Sequence, residues 1–483
     1  MKQDSTPVLS AQLADFAHRL RWEHLSPAAL REAKRFWLDS LGCALGGFKS
    51  HDARIALKVW RRFGGRPEAT VIGGGWKAGA RDAAFLNNLM IRIMDYNDIY
   101  WEQDPSHPSD LLGTVLALCE WRRLSGRDLI VATVLAYELE MRLCEAAFPG
   151  IRERGWHHAT LTQFVSPLVA GKLLGLTPAQ MTHAVGIAGC RQSTFGGVVA
   201  GKLSMMKNTV DPMAGAEGIV SALLAAEGYT GPEAIFEGKE GLFHCLGQQT
   251  GITWKPETLT DGLAGLLVKR SKARGAAARP GGEFRIARCG MKAFPTEALT
   301  HSAISCALDL VEGGGYAPDE IEEVVVKTTA RAKDILSDPS KYIPSSKETA
   351  DHSLPYTIAV ALLDGSVTTE SFTDRRLKDP VLPSVMQKVR VEADGAIDAA
   401  FPAFKRSELI LKLKGREPRS ARVDYPKGDP RNPMSDAEIE TKFRALAGRS
   451  LTGKTQERLI ALVKDLEQLE RITPLLGAVK AER

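Results

Sequence analysis

The sequence predicts a mainly α protein, a large all-helical domain with a smaller α+β domain inserted into it. Three observations carry that expectation. Residues from about 8 to 265 place their apolar side chains at helical spacing. After about residue 270 come short segments rich in β-branched residues, and from Ser435 onward helical periodicity returns. The expected division is 1–270 for the first part of the helical domain and 271–407 for the α+β domain. Residues 408–483 would add a strand pair to the small domain and then return as helices to the large one.

The elements follow in chain order. LSPAALREAKRFWLDSLGCALGG has Ser26 as cap, Pro27 at the first helical position and Gly46-Gly47 to stop it. GLTPAQMTHAVGIAG repeats the device with Thr177 and Pro178. DPMAGAEGIVSALLAAEGYTGP does so with Asp211 as cap, Pro212 opening and Gly228 closing. Small residues recur on these apolar faces, which suits close helix packing. The basic, Gly/Pro-rich stretch 271–284 reads as a boundary. Beyond it, 321–330 and 386–394 have strand length and composition, and 408–426 reads as two strands around a Gly-containing turn. Helices are expected at 296–312, 351–364 and 455–470.

Composition excludes several function classes. The chain of 483 residues carries 63 basic and 58 acidic residues, and the net charge of +5 is too small and dispersed for nucleic-acid binding. No apolar run reaches a membrane span, and MKQDSTPVLSAQLADF lacks the apolar core of a signal peptide. Seven scattered cysteines without a CxxC read as reduced thiols, with no ligand set for an iron–sulfur cluster, and point to a cytoplasmic protein. GGVVAGK at 196–202 imitates a phosphate loop, but Leu203 replaces its hydroxyl residue and no clean strand precedes it.

The polar break MDYNDIYWEQDPSHPSD at 94–110 interrupts two helical segments and concentrates Asp95, Asp98, Glu102, Asp104 and His107. Asp104-Pro105 and His107-Pro108 force extended backbone, and Ser109 is the expected N-cap of the next helix. His107 then stands at a helix mouth, where free N–H groups favour an anion. Two other interpretations compete: a solvated acidic loop, and a metal site built from Asp95, Asp98 and His107. Lys207 and Lys292 adjoin Pro-punctuated loops; each is either an exposed cation or a partner for substrate carboxylates. His157 and His158 precede another helical run in RGWHHAT.

Seven stretches, in order along almost the whole chain, resemble the MmgE/PrpD family. They are LDSLGCALGG, AAFLNNLMIRIMDYND with HPSD, GWHHAT, GKLSMMKN with AAEGYTGPEAIFEGKEGL, MKAFPTEALTHSA, ETADHSLPYTIAVALLDG and YPKGDPRNPMSDAEIETKF. The family includes 2-methylcitrate dehydratase, cis-aconitate decarboxylase and iminodisuccinate epimerase. The resemblance implies a homodimer that works without a metal or organic cofactor on a small polycarboxylate, at a site between the two domains. It also implies the site residues: Asp95, His107, His157, Lys207, Lys292, His301 and Tyr356.

Acid/base chemistry next to a carboxylate suits these residue types. His107 or His157 would be base or acid, with Asp95 orienting the imidazole. Lys207, Lys292 and His301 would bind carboxylates, and Tyr356 would donate a proton. Glu102 and Asp104 would face solvent. Ile99 stands where the decarboxylase branch carries Thr, and His158 where relatives commonly carry Pro. The expected reaction is therefore dehydration of a 2-hydroxy polycarboxylate such as 2-methylcitrate, an intermediate of propionate metabolism. The alternatives are epimerisation, decarboxylation, and a scaffold that has lost its chemistry.

Overall fold

A computed structural model describes residues 7–191, 193–269, 282–312 and 314–482. It is mainly helical, with a smaller α+β part. Most of the boundary stretch 271–284 lies outside the described residues.

The helix Pro27–Gly47 starts as its sequence requires, with the Ser26 hydroxyl accepting from the Ala29 N–H and Pro27 in the first turn. It ends against the helix Ala80–Arg92. A Cβ on Gly47 would collide with the Met90 carbonyl oxygen, so glycine is what lets the two helices close. Thr177 and Pro178 open Pro178–Gly189 with a full capping box. The cap of Val210–Ala226 is Thr209 rather than Asp211. Asp211 lies two residues further in, within the first turn, and its buried carboxylate faces histidines instead of the helix end.

Two hydrophobic cores form. The first gathers buried residues from Leu9 to Met291, leaves the chain there, and resumes from Met434 to Val479. The second lies wholly within Ala303–Leu413. Its basis is a four-stranded sheet in the order Arg419–Val423, Ser407–Leu413, Ile321–Thr328, Val389–Ala393. The first two pairings are antiparallel and the last is parallel. Leu409, Leu411 and Leu413 alternate inward on their strand and meet the helix His301–Leu310, which in turn packs on Leu354–Asp364.

The break at 94–110 is not a loop throughout. Asp98–Trp101 pairs antiparallel with Pro105–Ser106 on one side and Gly290–Met291 on the other. That ladder satisfies backbone groups and lets a polar segment run through the interior. It also sets Ile99 opposite Gly290, which brings Lys292 beside Asp95 from 197 residues away. Among the described residues no helix is long and apolar enough to cross a membrane, and all seven cysteines are unpaired.

Candidate active site

Asp95 follows the helix Ala80–Arg92 in a left-handed conformation, φ +48°, with its N–H donating to the Arg92 carbonyl. This turn folds the carboxylate back into the protein. There Arg92 donates to Oδ1 at 2.7 Å, Lys292 to the same oxygen at 2.6 Å, and Lys207 to Oδ2 at 3.2 Å. Burial alone would raise this carboxyl; Lys207, Lys292 and Arg92 outweigh it and hold it well below the usual range. Asp95 is thus the anion that holds three buried cations together. It does not orient an imidazole, contrary to the expectation from the sequence.

That task falls to Asp98. The His107 Nδ1 lies 2.5 Å from the Asp98 carbonyl oxygen, which can only accept, so the ring proton sits on Nδ1. Nε2 therefore keeps its lone pair. Burial, with the positive charges of Arg92 and Lys292, keeps the ring neutral, well below the ordinary histidine value. His157 has the opposite arrangement: the Ala159 N–H donates to its Nδ1 at 3.2 Å, which puts the proton of the neutral ring on Nε2. Burial and the adjacent His158 hold it neutral as well, and Nε2 is buried without a protein partner among the described residues.

Around these groups lies a cavity lined by Asp95, Ile99, Trp101, His107, Arg152, His157, His158, Lys207, Lys292, Glu297 and His352, among others. A second cavity shares Ile99, Trp101, Lys292 and Ala298 with it and is lined also by Met291 of the first core and by Leu299, which packs against the second. His301 opens onto this second cavity, and burial with the nearby Lys292 pushes its pKa down to about 3.

Several expectations are corrected. Tyr356 lines neither cavity. It is buried in the second core, and its hydroxyl donates to the Ser371 carbonyl at 2.6 Å. Its proton is further held by burial, so it offers no acid to the site. Ser109 does not cap a helix; its hydroxyl and N–H donate to the Asp98 carboxylate at 2.6 and 2.9 Å. The chain enters Leu112–Trp121 through the 3-10 turn Pro108–Leu111, with His107 at its start. Asp104 is buried rather than solvent-facing, and accepts from the Ile151 and Arg152 N–H groups at 2.8 and 3.1 Å. Residues 196–198 form a single 3-10 turn and Lys202 is exposed, so no phosphate loop exists.

The site also contains groups that sequence reasoning passed over. Arg92 precedes Asp95 by three residues, a spacing that could have flagged the pair. His158 Nε2 stands 3.3 Å from the Asp211 carboxylate. Burial would raise Asp211, yet the adjacent His158 holds it well down. Glu297 is pushed up by burial, only partly offset by Arg152 and Lys292. Arg152 had no sequence signal at all.

Among the described residues two groups of donors are close enough to share a cation, His157–His158–Asp211 and Asp95–Asp351–His352. The proposed set Asp95, Asp98 and His107 is not among them. In the second group both carboxylates are already paired with lysines: Asp95 with Lys207 and Lys292, Asp351 with Lys347 at 2.8 Å.

Comparison with known proteins agrees with this architecture. Residues 11–255 match the MmgE/PrpD N-terminal domain and residues 294–468 the MmgE/PrpD C-terminal domain. The chain is 26% identical to a cis-aconitate decarboxylase of Mus musculus, over 98% of this chain and 93% of the relative. It is 25% identical to a 2-methylcitrate dehydratase of Cupriavidus necator, over 93% and 92%. With a 2-methylcitrate dehydratase of Escherichia coli K12 the identity is 23% over 96% of both. The two domain matches span most of the chain in order, and the protein belongs to the MmgE/PrpD family.

Proposed function

We propose that this protein is a lyase that dehydrates a 2-hydroxy polycarboxylate, with 2-methylcitrate as the leading substrate, by acid/base catalysis without a cofactor. One observation carries the proposal: His107 and His157 face one cation-lined cavity as opposite neutral tautomers, one a base at Nε2 and the other a donor at Nε2. His107 takes the proton from the carbon next to a carboxylate. The C–H electron pair becomes the double bond, the neighbouring C–O bond breaks, and the leaving hydroxide collects a proton to depart as water. Glu297, which burial keeps protonated more readily than an ordinary glutamate, supplies that proton, with His157 Nε2–H directing the oxygen. Lys207, Lys292 and Arg92 carry more positive charge than Asp95 neutralises, and the surplus receives carboxylate and developing enolate charge. Ile99, Trp101 and Val199 give the cavity an apolar side suited to a methyl group.

Decarboxylation of a tricarboxylate is the second reading, supported by similarity to cis-aconitate decarboxylases over nearly the whole chain. It needs the cations and a proton donor but no leaving hydroxide. Epimerisation needs only proton removal and return. The test is incubation of purified, EDTA-treated protein with 2-methylcitrate, citrate, cis-aconitate and iminodisuccinate in D2O, followed by NMR. An alkene from methylcitrate is expected. Loss of carbon dioxide from cis-aconitate, or deuterium exchange at a retained stereocentre, would replace dehydration by the other chemistries. Activity abolished by EDTA and restored by a divalent metal would overturn the cofactor-free mechanism.

A further inference from the structure

Four cations line the catalytic cavity, and three are already engaged: Arg92, Lys207 and Lys292 all bind Asp95. The fourth, Arg152, differs. Among the described residues its guanidinium has no hydrogen-bonded or ion-paired partner, although it is only partly exposed. Glu297 and Asp104 are its nearest opposite charges, but neither pairs with or hydrogen-bonds its guanidinium; a half-buried guanidinium left so is costly, and its planar fork matches a carboxylate better than any other side chain does.

Its position is nevertheless well determined. Arg152 lies in the 3-10 turn Ile151–Arg154, and the buried Asp104 carboxylate holds that turn through the N–H groups of Ile151 and of Arg152 itself. The guanidinium carbon sits 5.5 Å from the centre of the Trp101 ring, a cavity-lining residue of the central strand. Arg331, on the helix Ala330–Leu336, approaches the same ring at 5.9 Å. Arg331 is paired with Glu153, however, and does not line the cavity. Arg152 is therefore a cation fixed at its backbone, supported on an aromatic face and left open on the side of the cavity.

We propose that Arg152, supported by Trp101, is the specificity residue for a substrate carboxylate remote from the reacting carbon. It would make the site selective for substrates with three carboxylates over those with two. This rests on the polycarboxylate reading above. Arg92, Lys207 and Lys292 would receive the carboxylates next to the reacting carbons, while Arg152 takes the third through its two parallel N–H groups.

The test is titration calorimetry of the full chain with two unreactive probes, tricarballylate (three carboxylates) and glutarate (two). Arg152→Gln is expected to weaken tricarballylate by roughly tenfold and glutarate by less than twofold, as the loss of one charge-assisted contact requires. Arg152→Lys keeps the charge and stem but loses the fork. It is expected to recover only part of the loss, and it serves as the folded variant if R152Q does not fold. A loss of less than about fivefold for tricarballylate in R152Q, or an equal loss for both probes in either variant, would overturn the assignment of Arg152. If the unaltered protein binds neither probe, the polycarboxylate reading itself falls; if it binds both and R152Q is unaffected, only Arg152 is misassigned.

Discussion

At the scale of single residues, the site is governed by where protons are allowed to sit. His107 holds its ring proton against a carbonyl, and burial with neighbouring cations keeps a second proton off. Its folded pKa is depressed, so the base form is present at every pH above that value and is lost only as pH falls through it. The acid limb of kcat/KM is therefore expected below pH 6.5, the ordinary histidine value, with a flat profile from there to neutrality. A limb at or above that value would mean that His107 is not the neutral base. Replacing His107 by Ala is expected to lower kcat by about 10²- to 10⁴-fold, with tricarballylate binding little changed. Unchanged kcat in the folded variant would remove His107 from the chemistry. Both histidines were legible in the sequence because each precedes a helix. Their roles were not, because a tautomer depends on which backbone group the ring meets.

At the scale of elements, helix starts do most of the positioning. Lys207, His157 and His301 each stand at or just before a helix or 3-10 turn, the caps at Ser26 and Thr177 appear where their sequences place them, and Ser435 caps the helix of the C-terminal return. The helix Asp436–Ala447 shows why the C-terminal return matters. Its Lys442 is buried, pairs with Asp39 at 2.6 Å, and donates to the Tyr96 and Lys292 carbonyls at 2.6 and 2.9 Å. One side chain thus joins the helix Pro27–Gly47 to the two segments that carry Asp95 and Lys292. Lys442→Met is expected to cost about 3–5 kcal/mol in denaturant unfolding, because it strands the Asp39 carboxylate without its partner. Combining it with Asp39→Asn should recover much of that loss. A single variant as stable as the parent would show that the pair holds nothing together. The sequence marked this helix clearly, through Ser435 and its periodicity; it could not say that Lys442 points inward, since lysine on a helix is ordinarily exposed.

At the scale of the whole molecule, both cavities are lined by segments far apart in the chain, and the central strand Asp98–Trp101 runs along both. The homodimer implied by the family resemblance is proposed at this scale. Phe195, Met205, Met206 and Met213 leave large apolar side chains exposed on segments around Lys207, and a second copy would cover them. Light scattering is expected to return twice the chain mass, and Phe195→Glu with Met206→Glu should lower it. A monomer at micromolar concentration would refute the proposal.

By itself the sequence determined the class of fold, the order of its elements, and the family, because caps, periodicity and motif spacing are local and survive without knowledge of contacts. Most of the ionisable cluster was legible for the same reason. Only the tertiary structure decided what each group does. It turned Asp95 from a histidine partner into the anion of three cations, buried Asp104 beneath the turn that carries Arg152, and withdrew Tyr356 into the second core. These outcomes share one physical reason: burial and the charge of neighbours set a group's protonation, and both come from residues distant in the chain.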